Sequence, residues 1–430
     1  MIKKVTSWGK YPLIDATINT PSMSQDLVLA KQTGIARGLG RSYGDSALSE
    51  NIVISERWNH FISFNEDTGE LRCEAGVSLD DILTTFVPKG WFLSVTPGTK
   101  FVTIGGAIAS DVHGKNHHLE GSFSDHVTSL NLITNGQEIT CSKEENCDLF
   151  RATCGGMGLT GMITEATFKL KPITSAYIKQ KVVKANCLET ALALFEQHKG
   201  VPYSVAWIDC LSTGNNLGRS LLMLGEHAEK GALTTHKDGL LNMPCDMPSF
   251  LLNKYTIQAF NSAYYNKQLK EEVNNTIHYD PFFYPLDGIN NWNRMYGRNG
   301  FTQYQFVIPK EAGKEGLTEI LQAIAQSKQG SFLAVLKVFG EGNQNHLSFA
   351  MEGYTLALDF KLNDSLFALL DRLDTIVRKY AGRLYLSKDV RMSEEMFKAG
   401  YPHWEAFQAL RKDYGVDQRY HSLQSKRLGL

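Results

Sequence analysis

Glycine recurs in two runs where a main chain could close around a diphosphate. The first is Ala36-Arg37-Gly38-Leu39-Gly40-Arg41-Ser42-Tyr43-Gly44-Asp45. The second opens at Thr96-Pro97-Gly98-Thr99 and continues through Thr103-Ile104-Gly105-Gly106-Ala107 to His113-Gly114-Lys115-Asn116-His117-His118. Without a Cβ in the way, backbone N–H groups approach an anion closely. Neither run is a Walker loop, because no Gly-Lys-Ser/Thr follows the first glycines. Two such loops in one chain can grip a long diphosphate-bearing molecule from both sides, which points to a cofactor enzyme.

Two other groups invite chemistry. Gly156-Met157-Gly158-Leu159-Thr160-Gly161 matches G-x-G-x-x-G by letter. A dinucleotide fingerprint follows a strand, opens a helix and is trailed by an acid about 20 residues on. Here a helical stretch precedes, an alternating strand follows, and 179–184 supplies no acid. A glycine-rich turn near a cofactor is therefore expected, not a Rossmann site. His113, His117 and His118 could suggest a metal. They would share a face only on a helix, which Gly114 and Asn116 disfavour, and no acidic ligand stands at useful spacing. No metal is expected; a histidine lining a cofactor or substrate site is.

The elements that must carry these loops follow from the patterning. A strand at 33–37 leads into the first loop, strands follow at 51–55 and 70–77, and Ser78 with Asp81 three residues on marks a helix N-terminus. The regular β-α-β alternation of a doubly wound fold is missing. Strand patterns return at 125–134 and 161–170 around a helix at 146–153, and Pro172 closes this block. Beyond 176, aromatic-rich strands mix with amphipathic helices, clearest at 316–327 and 365–380. Segment 247–267, apolar and aromatic with few charges, suggests a buried strand pair or helix, or a flap over a greasy substrate.

The totals set outer limits. At 430 residues, two domains are the default. A net charge of −1 argues against a nucleic-acid binder. Seven cysteines, odd in number and without C-x-x-C, suit thiols of a reducing compartment. Lys3 and Lys4 have no apolar run behind them, so no signal peptide is expected. No stretch approaches the roughly 18–20 apolar residues of a membrane span. A soluble protein is expected, cytoplasmic or peripheral at a membrane surface, with a periplasmic location left open.

The chain resembles the FAD-binding superfamily of vanillyl-alcohol oxidase and p-cresol methylhydroxylase. Four motifs carry the resemblance, in family order: the Ala36 to Tyr43 loop, Glu74 to Ile82 (E-A-G-V-x-L-x-D-I), Gly105 to Ile108 (G-G-A-I), and Gly158 to Ile163 (G-L-T-G-x-I). More specific are the His113 to His118 run, Trp292 to Gly297, Gln303 to Pro309, Leu336 to Gly340 and Gly382 to Asp389. They resemble the branch that oxidises polyprenylphosphoryl pentoses. The resemblance implies an α+β, two-domain FAD-binding fold. Residues 1–175 would be the FAD-binding domain and 176–382 an antiparallel-sheet cap for substrate, with 383–430 returning to the FAD domain.

It also implies roles. Arg37, Gly38, Leu39, Gly40, Arg41, Ser42, Tyr43 and Asp45 would wrap the pyrophosphate. Thr96, Gly98, Thr103, Gly105, Gly106, His113 and Gly114 would line the flavin, with Ile163 at the adenine side. Lys115, Tyr296, Gln303, Gln305 and Lys337 would face substrate. Tyr385 and Lys388 would stand at the flavin edge, and Lys388, Tyr385 and His113 are the catalytic candidates. Lys388 could act as a cation beside the flavin or as a base of depressed pKa; both remain open. The implied reaction is oxidation of the C2 hydroxyl of a lipid-phosphoryl ribose to a 2-keto sugar. A separate NAD(P)H-dependent short-chain reductase would complete an epimerisation. An aldonolactone or alditol oxidase is the alternative, and a flavin-carrying non-catalytic subunit the third.

Four departures matter. Arg41 stands where many members carry a flavin-linking histidine, and Thr99-Lys100-Phe101 holds no cysteine, so FAD is expected to be non-covalent. The branch's cysteine, the target of covalent inhibitors, is replaced by Ala357 in Gly353 to Phe360, and an asparagine two positions earlier by Thr355. These alter the pocket, not the redox centre, which resides in the cofactor.

Overall fold

The computed structural model describes residues 1–22, 33–237, 239 and 241–430. Three sheets matter for the site. The smallest orders its strands Ile2–Thr6, Leu13–Asn19, Asn51–Ile54, Ile35–Arg37. Ile35–Arg37 and Asn51–Ile54 run parallel. Parallel neighbours need a crossover, and here the crossover is the first glycine loop.

The second sheet is antiparallel, in the order Phe61–Asn65, Glu70–Glu74, Met162–Pro172, Val127–Thr134, Gln137–Ser142, with Trp91–Leu93 on the far end of Met162–Pro172. The expected capping box forms: Asp81 N–H donates to Ser78 Oγ at 3.1 Å and Ser78 N–H to Asp81 Oδ2 at 3.0 Å. The helix it opens, Leu79–Phe86, buries Leu79, Ile82, Leu83 and Phe86. The short helix Ile104–Ala109 carries the G-G-A-I motif, with Thr103 as N-cap.

The third sheet has eight strands, all antiparallel: Glu272–His278, Tyr177–Ala185, Ser220–His227, Tyr203–Ile208, Ala334–Phe339, Gly353–Lys361, Phe301–Pro309 and Arg383–Leu384. The period of two divides its faces. Ala206, Leu222, Phe306, Leu336 and Leu356 pack under the helices Leu188–Gln197, Gly313–Ser327 and Leu366–Lys379. Their alternates, among them Trp207, Met223, Gln303, Gln305, Lys337 and Ala357, face the first block across a cavity.

Segment 247–267 is not a buried element. It forms the helix Lys254–Asn266, capped by Asn253, with only Ile257 and Asn261 buried. Tyr255, two residues before Ile257, falls on the solvent side of the helix, and Phe250 and Leu251 are exposed just ahead of it. Phe260 is partly exposed while its ring packs on Tyr264 and Phe332. The C-terminal helix Leu423–Leu428 returns to the first block, where Leu423 N–H donates to the Leu48 carbonyl and Arg427 pairs with Asp45 and Asp389 at 2.8 and 2.9 Å.

Candidate active site

The glycine loops and the inner face of the eight-stranded sheet enclose a cavity of about 860 Å³, within the usual range for ligand sites. Gly38 to Tyr43 all line it. Gly40 has φ +64°, and a Cβ there would lie 2.2 Å from Arg37 Nη2. The Arg37 guanidinium donates to the carbonyls of Thr6 (2.7 Å) and Ala47 (3.4 Å), so it braces the loop from within. Arg41 is different. It lies 4.0 Å over the Trp8 ring, and its buried Nε has no hydrogen-bond partner. Burial lowers its pKa, and Asp287 opposes the shift. Asp287 also accepts from Thr99 Oγ1 at 2.8 Å and Lys100 N–H at 2.9 Å, fixing the second loop.

The two loops meet at Thr103. A Cβ on Gly38 would come 2.2 Å from its Oγ1, and one on Gly106 3.1 Å. At Gly98 a Cβ would meet nothing within 4 Å, because this residue faces the cavity. Thr96, Gly105 and Gly114 also line it. The third glycine turn sits between the helix Cys147–Thr153 and the strand Met162–Pro172, with Met157, Gly158, Gly161 and Ile163 on the cavity wall.

At the far end His113 is buried among the rings of Phe339 (4.7 Å) and Tyr385 (5.1 Å). Gln305 Nε2 donates to its Nε2 at 3.0 Å and to Thr355 Oγ1 at 3.2 Å. Accepting at Nε2 puts the proton on Nδ1, which is buried and unpartnered. Burial first, then Lys337, drives the His113 pKa well below its ordinary value, so the ring is neutral. Tyr385 lies beside it, its hydroxyl donating to the Ser110 carbonyl at 2.8 Å.

Besides Lys267 at the end of a surface helix, three inner lysines line the same cavity: Lys115, Lys337 and Lys388. Burial lowers Lys115 and Lys337 to about 7 and Lys388 to about 8. Repulsion from Lys337 adds to the shift of Lys115 and repulsion from Lys388 to that of Lys337, whereas Asp359 holds Lys388 up. Lys115 Nζ donates to the carbonyls of Phe282 and Phe283 at 2.8 and 3.1 Å. Lys388 Nζ stands 4.0 Å from the Tyr43 ring centroid. Lys115 and Lys337, buried with no carboxylate among the charges acting on them, make a site for an anion.

Two expected residues lie off the cavity. Asp45 is held by Arg427. Tyr296 is stacked on Phe301 at 4.2 Å, its hydroxyl turned toward Asp359 at 3.4 Å. Asp359 itself went unassigned in the sequence. It is buried and accepts from Gln303 Nε2 at 2.5 Å, and burial raises it to about 7 against those hydrogen bonds and Lys388. The available signal was an acid on the inner face of a buried strand, two residues past Ala357. Among the described residues no group of three His, Cys, Asp or Glu could hold a metal. His117 lies against Phe339, and His118 Nε2 contacts the Val201 carbonyl.

The orphaned Nε of Arg41, the orphaned Nδ1 of His113 and the open approach at Gly98 fit a large, anion-bearing, hydrogen-bonding cofactor such as a flavin dinucleotide. The FAD binding domain model matches residues 26–142, which contain both glycine loops. Over its whole length the chain is 36% identical to the decaprenylphosphoryl-β-D-ribose oxidase of Mycolicibacterium smegmatis, covering 98% of that protein. The chain belongs to the decaprenylphosphoryl-β-D-ribose oxidase family. Like the rest of that family it is an FAD-dependent oxidoreductase with a mixed, antiparallel-sheet FAD-binding fold. An uncharacterized Streptomyces coelicolor protein is 28% identical over 82% of this chain and 100% of its own length. A D-arabinono-1,4-lactone oxidase of Yarrowia lipolytica is 25% identical over 34% of this chain and 31% of its own.

Proposed function

We propose that this oxidase family member oxidises the C2 hydroxyl of a polyprenylphosphoryl-β-D-ribose to the 2-keto sugar. The observation that carries this reading is the convergence of Lys115, Lys337 and Lys388 in one cavity with the glycine cradle. A neutral polyol or lactone offers Lys115 and Lys337 no counter-charge in their buried positions, whereas a sugar phosphate supplies one and favours their charged form. The wall of Val205, Trp207 and Met223 suits the first prenyl units. The likeness of this chain to lactone oxidases spans about a third of its length.

On this reading, residues 1–175 with 383–430 hold FAD and 176–382 cap the substrate. Arg41 and the backbone of the first loop meet the pyrophosphate, and His113 and Tyr385 border the flavin. FAD, when bound, supplies the acceptor for the two electrons of the alcohol oxidation. Lys388 Nζ, brought to about 8 by burial, accepts the hydroxyl proton at moderately alkaline pH. Gln303 and Gln305, two apart on one strand face, hold sugar hydroxyls, with Asp359 orienting Gln303. Lys115 and Lys337 take the phosphate, which restores their protons. The apolar walls exclude water.

FAD is held non-covalently, with Arg41 in the linking position, and a separate NAD(P)H-dependent reductase returns the keto sugar to the epimeric alcohol. Anaerobic addition of a prenylphosphoryl ribose should bleach the flavin absorbance, while aldonolactones and alditols should not. Bleaching by a polyol and not by any lipid-phosphoryl pentose would overturn the substrate assignment. After acid precipitation the yellow colour should stay in the supernatant; a yellow pellet would refute non-covalent binding.

A further inference from the structure

The helix Lys254–Asn266 is out of keeping with the rest of the surface. Tyr255 is 78% exposed, Phe250 72% and Leu269 91%, and Phe260 and Leu251 are exposed beside them. Such rings and aliphatic chains are normally turned inward, and several exposed along one segment mark a candidate interaction surface. The segment is also one-signed. Residues 247–270 contain Lys254, Lys267 and Lys270 and no aspartate or glutamate. Aromatic and aliphatic side chains flanked by lysines on a capped helix are the composition of an element that lies in a bilayer interface.

Its position gives this composition a use. Tyr264, stacked on Phe260, and Lys267 and Gln268 just past the end of the same helix line the cavity. Tyr264 stands 4.7 Å from Trp207, on the inner face of the eight-stranded sheet. One helix thus joins an exposed apolar, cationic surface to the apolar end of the pocket.

We propose that residues 250–269 dock this protein on the surface of an anionic phospholipid bilayer and open the pocket toward it. A polyprenyl phosphate could then enter headgroup first without leaving the membrane. The aromatic residues insert among the acyl chains, and Lys254, Lys267 and Lys270 meet the headgroups. The route for substrate follows from the proposed function; the docking surface does not depend on it.

The test is co-sedimentation of the FAD-loaded protein with vesicles of phosphatidylcholine alone or with 30% phosphatidylglycerol, on the order of the anionic fraction at which basic interfacial helices bind. The variant carries Phe250→Ser, Tyr255→Ser and Leu269→Ser, three exposed positions outside the cavity wall. Wild type should pellet with the anionic vesicles and lose most binding in high salt, and the variant should bind at least tenfold more weakly. Oxidation of a short-chain, water-soluble prenylphosphoryl ribose should stay within twofold, while oxidation of a long-chain substrate in vesicles falls with binding. Wild type that remains in the supernatant, or a variant that pellets equally, overturns the docking surface. Binding lost because the variant dissociates a dimer, seen by light scattering, overturns it in favour of a second copy. Vesicle binding with no sugar phosphate oxidised leaves the surface standing and sinks the substrate assignment instead.

Discussion

The Gln305 amide donates to Nε2 of His113, joining residues 192 apart in the chain. It fixes the histidine tautomer from the far side of the cavity and ties the second glycine loop to the eight-stranded sheet. Gln305→Leu keeps the volume and removes the donor, leaving Nε2 of His113 and Oγ1 of Thr355 unsatisfied. Leaving a buried polar group unmade costs ~1–3 kcal/mol. Anaerobic stopped-flow should show flavin reduction slowed ~10–100-fold with FAD content unchanged. A loss below twofold would mean the tautomer is set elsewhere.

Asp359 bears on Lys388 through charge. The lysine is lowered from 10.5 to about 8 by burial, and Asp359 is the influence that raises it. Asp359→Asn should therefore move the Lys388 transition below 8. If the neutral amine takes the proton, single-turnover rates rise with pH through about 8 in wild type and through a lower value in the variant. A midpoint that stays in place would show that the two side chains do not communicate.

Much of this was legible in sequence because it is local. The Ser78–Asp81 capping box, the strand alternations and the glycine loops each depend on neighbours within a few residues. Gln303 and Gln305 share a face because the period of two leaves no freedom, whereas the places of Lys337 and Ala357 beside them were implied by the resemblance. Tyr296 and Asp45 stand off the cavity because their partners, Asp359 and Arg427, come 63 and 382 residues later, beyond the reach of any local pattern. Asp359 was missed because burial, not residue type, gives it importance. Segment 247–267 was open to a buried element or a flap because its composition is apolar; the helix Lys254–Asn266 buries only Ile257 and Asn261 and places Tyr264 on the cavity wall.

Two glycines of the cradle should answer differently to alanine. Gly40→Ala meets both a left-handed φ and the Arg37 guanidinium, so it should destabilise the protein by ~1–3 kcal/mol and weaken FAD binding. Gly98→Ala meets no protein atom. It should leave the melting temperature of the cofactor-free protein within about 1 °C while lowering FAD affinity tenfold or more. Thermal melts with and without added FAD separate the two, and unchanged FAD affinity in Gly98→Ala would remove that residue from the cofactor site.

Ala357 lies on the cavity wall, opposite Gln305 in the strand register. Wild type should form no adduct there with cysteine-directed inhibitors of the family, while Ala357→Cys should gain one that substrate protects against. Cys245 is exposed and two other thiols are partly so, so the adduct must be mapped to position 357 by peptide mass, not inferred from total labelling. Absence of an adduct in the variant would show that Thr355 or another neighbour closes the approach.

Lys337 offers a stability test with a definite sign. Its pKa is about 7 in the folded protein and 10.5 when free. Between those values the unfolded chain binds the extra proton, so its contribution to stability rises with pH, by up to about 1.4 kcal/mol per unit. Below pH 7 both states are charged and the folded state carries the full burial penalty. Lys337→Met removes it. The cofactor-free variant should therefore be more stable than wild type by ~1–3 kcal/mol at pH 7, less than the full shift implies because solvent reaches the cavity. The gain should shrink toward pH 10, as the wild-type side chain becomes neutral in both states. Inorganic phosphate should raise the wild-type melting temperature more than the variant's, since it returns a counter-charge to the lysines. Urea unfolding at pH 7, 8.5 and 10 reads the sign directly, and a variant less stable at pH 7 would show that Lys337 is paired, not held as an unneutralised cation.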